Sequence, residues 1–145
     1  MKTPVKVLFA LLATFLISCN NSDDTAEPTT LDGVWLLKSV RGGIAGTNDE
    51  FNNGEITWTF DPNGNIAVWN TNTDDTKVDL IESGDYVYTI APNPVTPQSC
   101  TEAMFIDGVN YGCYAIDDST LVLNQVESDG YEITLQKIGP VTMNQ

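Results

Sequence analysis

Short runs rich in Val, Ile, Thr, Tyr, Phe and Trp alternate with polar residues from Gly33 to about Ile138, and no segment sustains a helical repeat. Gly, Asn, Asp or Pro interrupts these runs at intervals of roughly eight to twelve residues, the pattern of an all-β chain. The expected strands cover residues 33–40, 54–60, 65–70, 76–81, 86–90, 103–106, 111–116, 120–126 and 131–138. Laid in order they make a small antiparallel up-and-down barrel of about eight strands. A two-sheet β-sandwich is the alternative, because strand rhythm does not report closure.

Turn chemistry sets two registers. In Phe60-Asp61-Pro62-Asn63-Gly64-Asn65-Ile66, proline suits the first corner of a type I turn and Gly64 the left-handed bulge position. A three-residue loop then puts Phe60 opposite Ile66 and Trp58 opposite Val68, with Thr57 and Thr59 on the other face. At Val126-Glu127-Ser128-Asp129-Gly130-Tyr131 a three-residue loop pairs Leu123 with Leu135, so that Tyr131, Ile133 and Leu135 point inward with Leu121 and Leu123. The first strand resists this treatment. Trp35 and Leu37 fall on one face and Val34, Leu36 and Val40 on the other, so one set needs a helix, a lipid surface or a partner to cover it.

The N-terminus carries a different signal. Lys2 and Lys6 precede an apolar run from Val7 to Ile17, too short for an ordinary membrane-spanning helix and typical of a signal-peptide core. It ends in Leu16-Ile17-Ser18-Cys19, which resembles a bacterial lipobox. That resemblance implies that residues 1–18 are a lipoprotein signal peptide and that the Cys19 thiol receives fatty acyl chains such as palmitate. At about 0.8 kcal/mol per buried methylene, these would anchor the chain to a membrane without a span. Residues 19–30 are Asn, Ser, Asp, Thr and Pro with almost nothing apolar, a disordered tether. Residues 31–145 are long enough for one core and form the single expected domain. Asn20 after the cysteine, with no Asp there, resembles lipoproteins released to the outer membrane of the cell envelope. Asp23-Asp24 resembles short acidic tags for surface exposure, and a soluble linker explains the two aspartates equally well.

Loss of the leader removes two of six basic residues and none of twenty acidic ones, taking the formal charge from −14 to −16. Lys38, Arg41, Lys77 and Lys137 are too scattered to track phosphates, so nucleic acid is not an expected partner. The chain has no histidine, which removes the commonest general base and metal ligand together. No nucleophile elbow, phosphate loop or Cys-x-x-Cys occurs. Glu55, Glu82, Asp85, Glu102 and Glu132 fall at strand ends or on outward positions. The expectation is a protein that is not an enzyme and carries no cofactor or metal. Asp61–Asn65 reads as a hairpin turn because Ile66 stands where a calcium loop needs glycine, and Asn70–Asp75 as a solvated loop.

Leu31-Asp32-Gly33-Val34-Trp35 opens the first strand. A Gly-x-Trp step after an unstructured leader resembles the start of lipocalin-like barrels, in which the glycine permits a tight bend and the tryptophan closes one barrel end. The resemblance implies a module that binds a small apolar or amphipathic molecule in the barrel mouth, with Trp58, Phe60, Tyr86, Tyr88 and Tyr114 as candidate ligand-binding residues. The simpler and stronger reading of the same aromatics is core, since a barrel of about eight strands is just wide enough for its own side chains. The rival is a non-catalytic surface interaction protein with a solid barrel, using the loop of residues 91–97, which three prolines stiffen. Cys100 and Cys113 flank a hairpin turning at Asp107-Gly108. A two-residue loop pairs Phe105 with Asn110 and Glu102 with Cys113. An exported chain keeps such cysteines as a disulfide rather than two buried thiols.

Overall fold

The computed structural model describes residues 30–95, 100–125 and 129–138. The expected signal peptide, Cys19, the tether up to residue 29 and the Pro97 end of the 91–97 loop therefore lie outside the described residues. Nine strands run through the described part: β1 (Gly33–Gly42), β2 (Thr47–Glu50), β3 (Ile56–Phe60), β4 (Asn65–Asn70), β5 (Gly84–Pro92), β6 (Glu102–Ile106), β7 (Val109–Asp117), β8 (Thr120–Asn124) and β9 (Tyr131–Lys137). All pairings are antiparallel, and β1 pairs with both β3 and β9. Eight strands thus close into a barrel, which decides against the open sandwich. The extra strand β2 lies outside the eight, on the edge of β1 that β3 also uses.

Closure follows from alternation. In β3, Ile56, Trp58 and Phe60 are buried while Thr57 and Thr59 are only half-buried, and β4 buries Ile66 and Val68 between exposed Asn65, Ala67 and Trp69. The β3–β4 hairpin has the expected register, Phe60 opposite Ile66 and Trp58 opposite Val68. Gly64 takes φ +88°, and the Asp61 carboxylate accepts the Asn63 and Asn65 N–H groups at 2.7 and 3.2 Å. Hydrogen bonds to that carboxylate, the Asn65 side-chain amide foremost, hold Asp61 below the usual carboxylate range.

The two-faced first strand is resolved within the chain. Leu37 faces Leu135 but Ser39 faces Thr134, so Lys38 is an extra residue, a β-bulge that reverses the inward–outward phase of the strand from Ser39 onward. Val40 consequently joins Trp35 and Leu37 in the core, all three fully buried, while Val34 and Leu36 stay half-buried on the outer face. Trp35 is held on two sides. Its indole N–H donates to Leu31 O at 2.6 Å, and the Lys137 ammonium sits 5.3 Å above its ring.

Three expectations need correction. Residues 76–81 form no strand. Asn70, Asn72 and Asp74 each accept a backbone N–H two residues onward, and these local bonds satisfy the backbone in turns rather than in a ladder. The β8–β9 register is displaced by two residues, placing Leu121 opposite Leu135 and Leu123 opposite Ile133. Even displacement keeps the same side chains inward, and the ladder stops where the Gln125 N–H donates to Tyr131 O and its side-chain oxygen takes the Tyr131 N–H. In the β6–β7 hairpin Phe105 does face Asn110, but Tyr111 is an extra residue, so Ala103 rather than Glu102 stands opposite Cys113. The Cys100–Cys113 disulfide forms, with a Cα–Cα distance of 5.8 Å.

Candidate functional site

The five aromatics all face inward, because each stands on a core-facing position of its strand, but they do not make one site. Tyr86 is opposite Ile66, Tyr88 opposite Ile106 and Tyr114 opposite Leu123. Trp58 is fully buried and Phe60 nearly so, their rings 6.3 Å apart. Tyr88 packs edge-on against Phe60 at 5.1 Å and donates its hydroxyl to Asp61 O at 3.0 Å, tying it to the β3–β4 turn. Tyr114 packs against the core from β7. These four are barrel filling as they stand.

Tyr86 is placed differently. Together with Leu80, Ile81, Ile106, Val109 and Tyr111 it lines an open groove of about 230 Å³ at the barrel end that carries the 71–83 loop and the β6–β7 turn, with Glu82 and Asp107 also contributing. Typical small-molecule sites hold about 300–1,000 Å³, so this one accepts a single ring or the end of an alkyl chain. Its floor depends on the bulge at Tyr111, which swings that ring against Trp58 in a T-shaped contact with centroids 6.1 Å apart. Its wall depends on the 71–83 loop, where Leu80 adopts φ +69°, a left-handed conformation that costs a branched residue about 1–2 kcal/mol. Sequence reasoning missed Leu80, Val109 and Tyr111. The available signal was Gly112 within a strand pattern, which marks a bulge.

One buried polar atom in the core is unusual. Trp58 Nε1 is buried and has no hydrogen-bond partner among the described residues, whereas Trp35 Nε1 has one. Leaving such a donor unsatisfied costs about 1–3 kcal/mol.

Burial raises the hydroxyl pKa of Tyr111, with the neighbouring Tyr86 adding to the effect. Burial also raises that of Tyr88, reinforced by the carboxylates of Asp32 and Asp61. The fold prefers both phenols neutral. Their contribution to stability is fully present below the unfolded value of about 10 and is lost as pH rises through the higher folded values. Alkaline titration of phenolate absorbance should show Tyr88 and Tyr111 ionising late, with unfolding tracking them. Tyr111→Phe should flatten that loss.

Comparison of this chain with protein-family models, with curated proteins and with solved structures finds no match.

Proposed function

We propose that this chain is a lipid-anchored cell-envelope lipoprotein of the outer membrane, with a lipocalin-like barrel that binds the apolar end of a small amphipathic molecule at its mouth and catalyses no reaction. The observation that carries the binding role is the apolar groove between Tyr86 and Tyr111, whose Tyr111 ring packs against the buried Trp58. Glu82 and Asp107 at the groove, on a chain of formal charge −14, disfavour an anionic head group. Neutral or cationic amphipaths suit it better.

Titration of the full-length chain with monolauroylglycerol, dodecylamine and laurate should give binding by the first two and weak or no binding by the third. Val109→Asp places a carboxylate in the groove at a position already 59 % exposed, so the fold should persist. Its affinity should fall by about tenfold or more, the equivalent of 1.4 kcal/mol. Equal affinity in the variant, or preference for laurate, would contradict the reading.

The anchor rests on Lys2, Lys6, the Val7–Ile17 run and Ser18-Cys19. Labelled fatty acid fed to producing cells should enter the wild-type protein and not Cys19→Ser. If both label equally, or the variant pellets with membranes as fully as wild type, the anchor is elsewhere.

A second reading, a non-catalytic interaction protein with a solid barrel, is favoured by the burial of Trp58 and Phe60 and by Trp69 on the outer wall.

A further inference from the structure

Trp69 is 63 % exposed while Trp35 and Trp58 are fully buried, so one of the chain's three tryptophans stands on the outer wall of the barrel. Strand register defines its neighbours. Leu36, Thr57 and Trp69 form one row across β1, β3 and β4, and Val34, Thr59, Ala67 and Asp85 form the next row, continuing to β5. Ala67 is the small residue in this arrangement. Its short side chain leaves an open notch of about 380 Å³ with Trp69 on one side, Asp85 diagonally across and the two threonines along β3. Diagonal neighbours on adjacent strands sit about 7–8 Å apart, enough to admit one flat group between them.

We propose that this outer face docks a basic segment of a partner protein, with an arginine side chain entering the notch between the Trp69 ring and the Asp85 carboxylate. Two observations, with the chemistry of the guanidinium group, select that occupant. Asp85 is exposed and makes no hydrogen bond or ion pair among the described residues, and the chain carries a formal charge of −14, so a cation is drawn both locally and from a distance. A guanidinium is planar, stacks on an indole and presents paired N–H donors to a carboxylate, which an ammonium does less well.

The four basic side chains among the described residues already have partners within their own chain. Lys38 reaches Asn53, Arg41 pairs with Glu50, Lys77 donates to Glu50 O, and Lys137 donates to Thr30 O while covering Trp35. The notch is open to solvent rather than enclosed. A side chain delivered by a larger body needs no such enclosure. The half-buried Val34 and Leu36 on the same rows give that body an apolar surface to rest on, and an exposed tryptophan at the centre is the residue type that dominates binding energy in protein interfaces.

Because Trp69 is the exposed indole, acrylamide quenching of the full-length chain reports on this site. A flexible Gly-Ser peptide carrying two arginines should protect Trp69 from quenching. The same peptide with citrulline in place of arginine, equal in shape and neutral, should bind roughly fivefold more weakly or less. Asp85→Asn should lower the affinity for the arginine peptide by a similar factor and bring it level with the citrulline peptide. Added salt should weaken the arginine peptide alone. Since Asp85 lies exposed on a strand, unchanged circular dichroism and thermal midpoint in Asp85→Asn would show that the loss is one of binding. Equal protection by the two peptides, protection by neither, or protection by phosphatidylcholine vesicles without protection by arginine would overturn the proposal.

Discussion

Replacing Gly112 with alanine is expected to destabilise the barrel by roughly 2–5 kcal/mol, the combined cost of a left-handed alanine and of overpacking against immovable atoms. Gly112 has φ +87°, and a Cβ built there would overlap Asn124 O, with the Asn124 carbonyl carbon and the Gln125 nitrogen also inside normal contact distance. All three are backbone atoms of β8 and its end, so no side chain can turn aside. The strain falls on the bulge that sets Tyr111 against Trp58 and brings Cys113 opposite Ala103. Marginal domains hold about 5–15 kcal/mol in total, and the thermal midpoint should drop by on the order of 10 °C or more. Gly46→Ala is the matched control. Gly46 has φ +71° but nothing within 4 Å of the added carbon, so it should lose only about 1–2 kcal/mol. Similar losses at the two glycines in thermal or urea unfolding would mean that Gly112 is not wedged against β8.

Trp35→Ala should cost about 3–5 kcal/mol, the range for removing a large aromatic from a core. Trp35 is fully buried, stands opposite Trp58 on β3 and Lys137 on β9, and so joins the strands that close the barrel. Loss of the indole also leaves Leu31 O without its donor and the Lys137 ammonium without its ring. Trp35→Phe keeps most of the apolar area but loses the hydrogen bond, and should cost less than the alanine variant. Urea unfolding of the two variants separates the terms. If alanine costs no more than phenylalanine, Trp35 acts through its indole N–H and not by filling the core.

The parts of this fold that were legible in the sequence are those where one local rule suffices. Pro62-Asn63-Gly64 carries its turn type in its own residues, and the alternation on either side agrees with it, so the β3–β4 register was readable to the residue. The β8–β9 register was not, because it is settled by Gln125, whose side chain reaches both Tyr131 N–H and Asn110 O across strands that are separate in sequence. Bulges were harder still. Lys38 looks like any polar residue in a strand, yet as the one extra residue it turns Val40 inward and removes the need for anything to cover it. The mouth groove was half legible for the same reason. Tyr86 could be found by alternation, whereas Tyr111 reaches the site through a bulge and Leu80 through a loop folded by Asn and Asp side chains over what the β-propensity of residues 76–81 suggested was a strand.

The indole N–H of Trp58 offers the most direct test of ligand binding at the barrel mouth. In isotope-labelled full-length protein titrated with monolauroylglycerol, its resonance should shift, because an alkyl end seated in the groove repacks the Tyr111 ring that stands edge-on to Trp58. The Trp35 resonance, already bonded to Leu31 O, and that of Trp69 on the outer wall should stay in place. A Trp58 resonance that does not move at saturating ligand, or movement confined to Trp69, would contradict binding at the mouth.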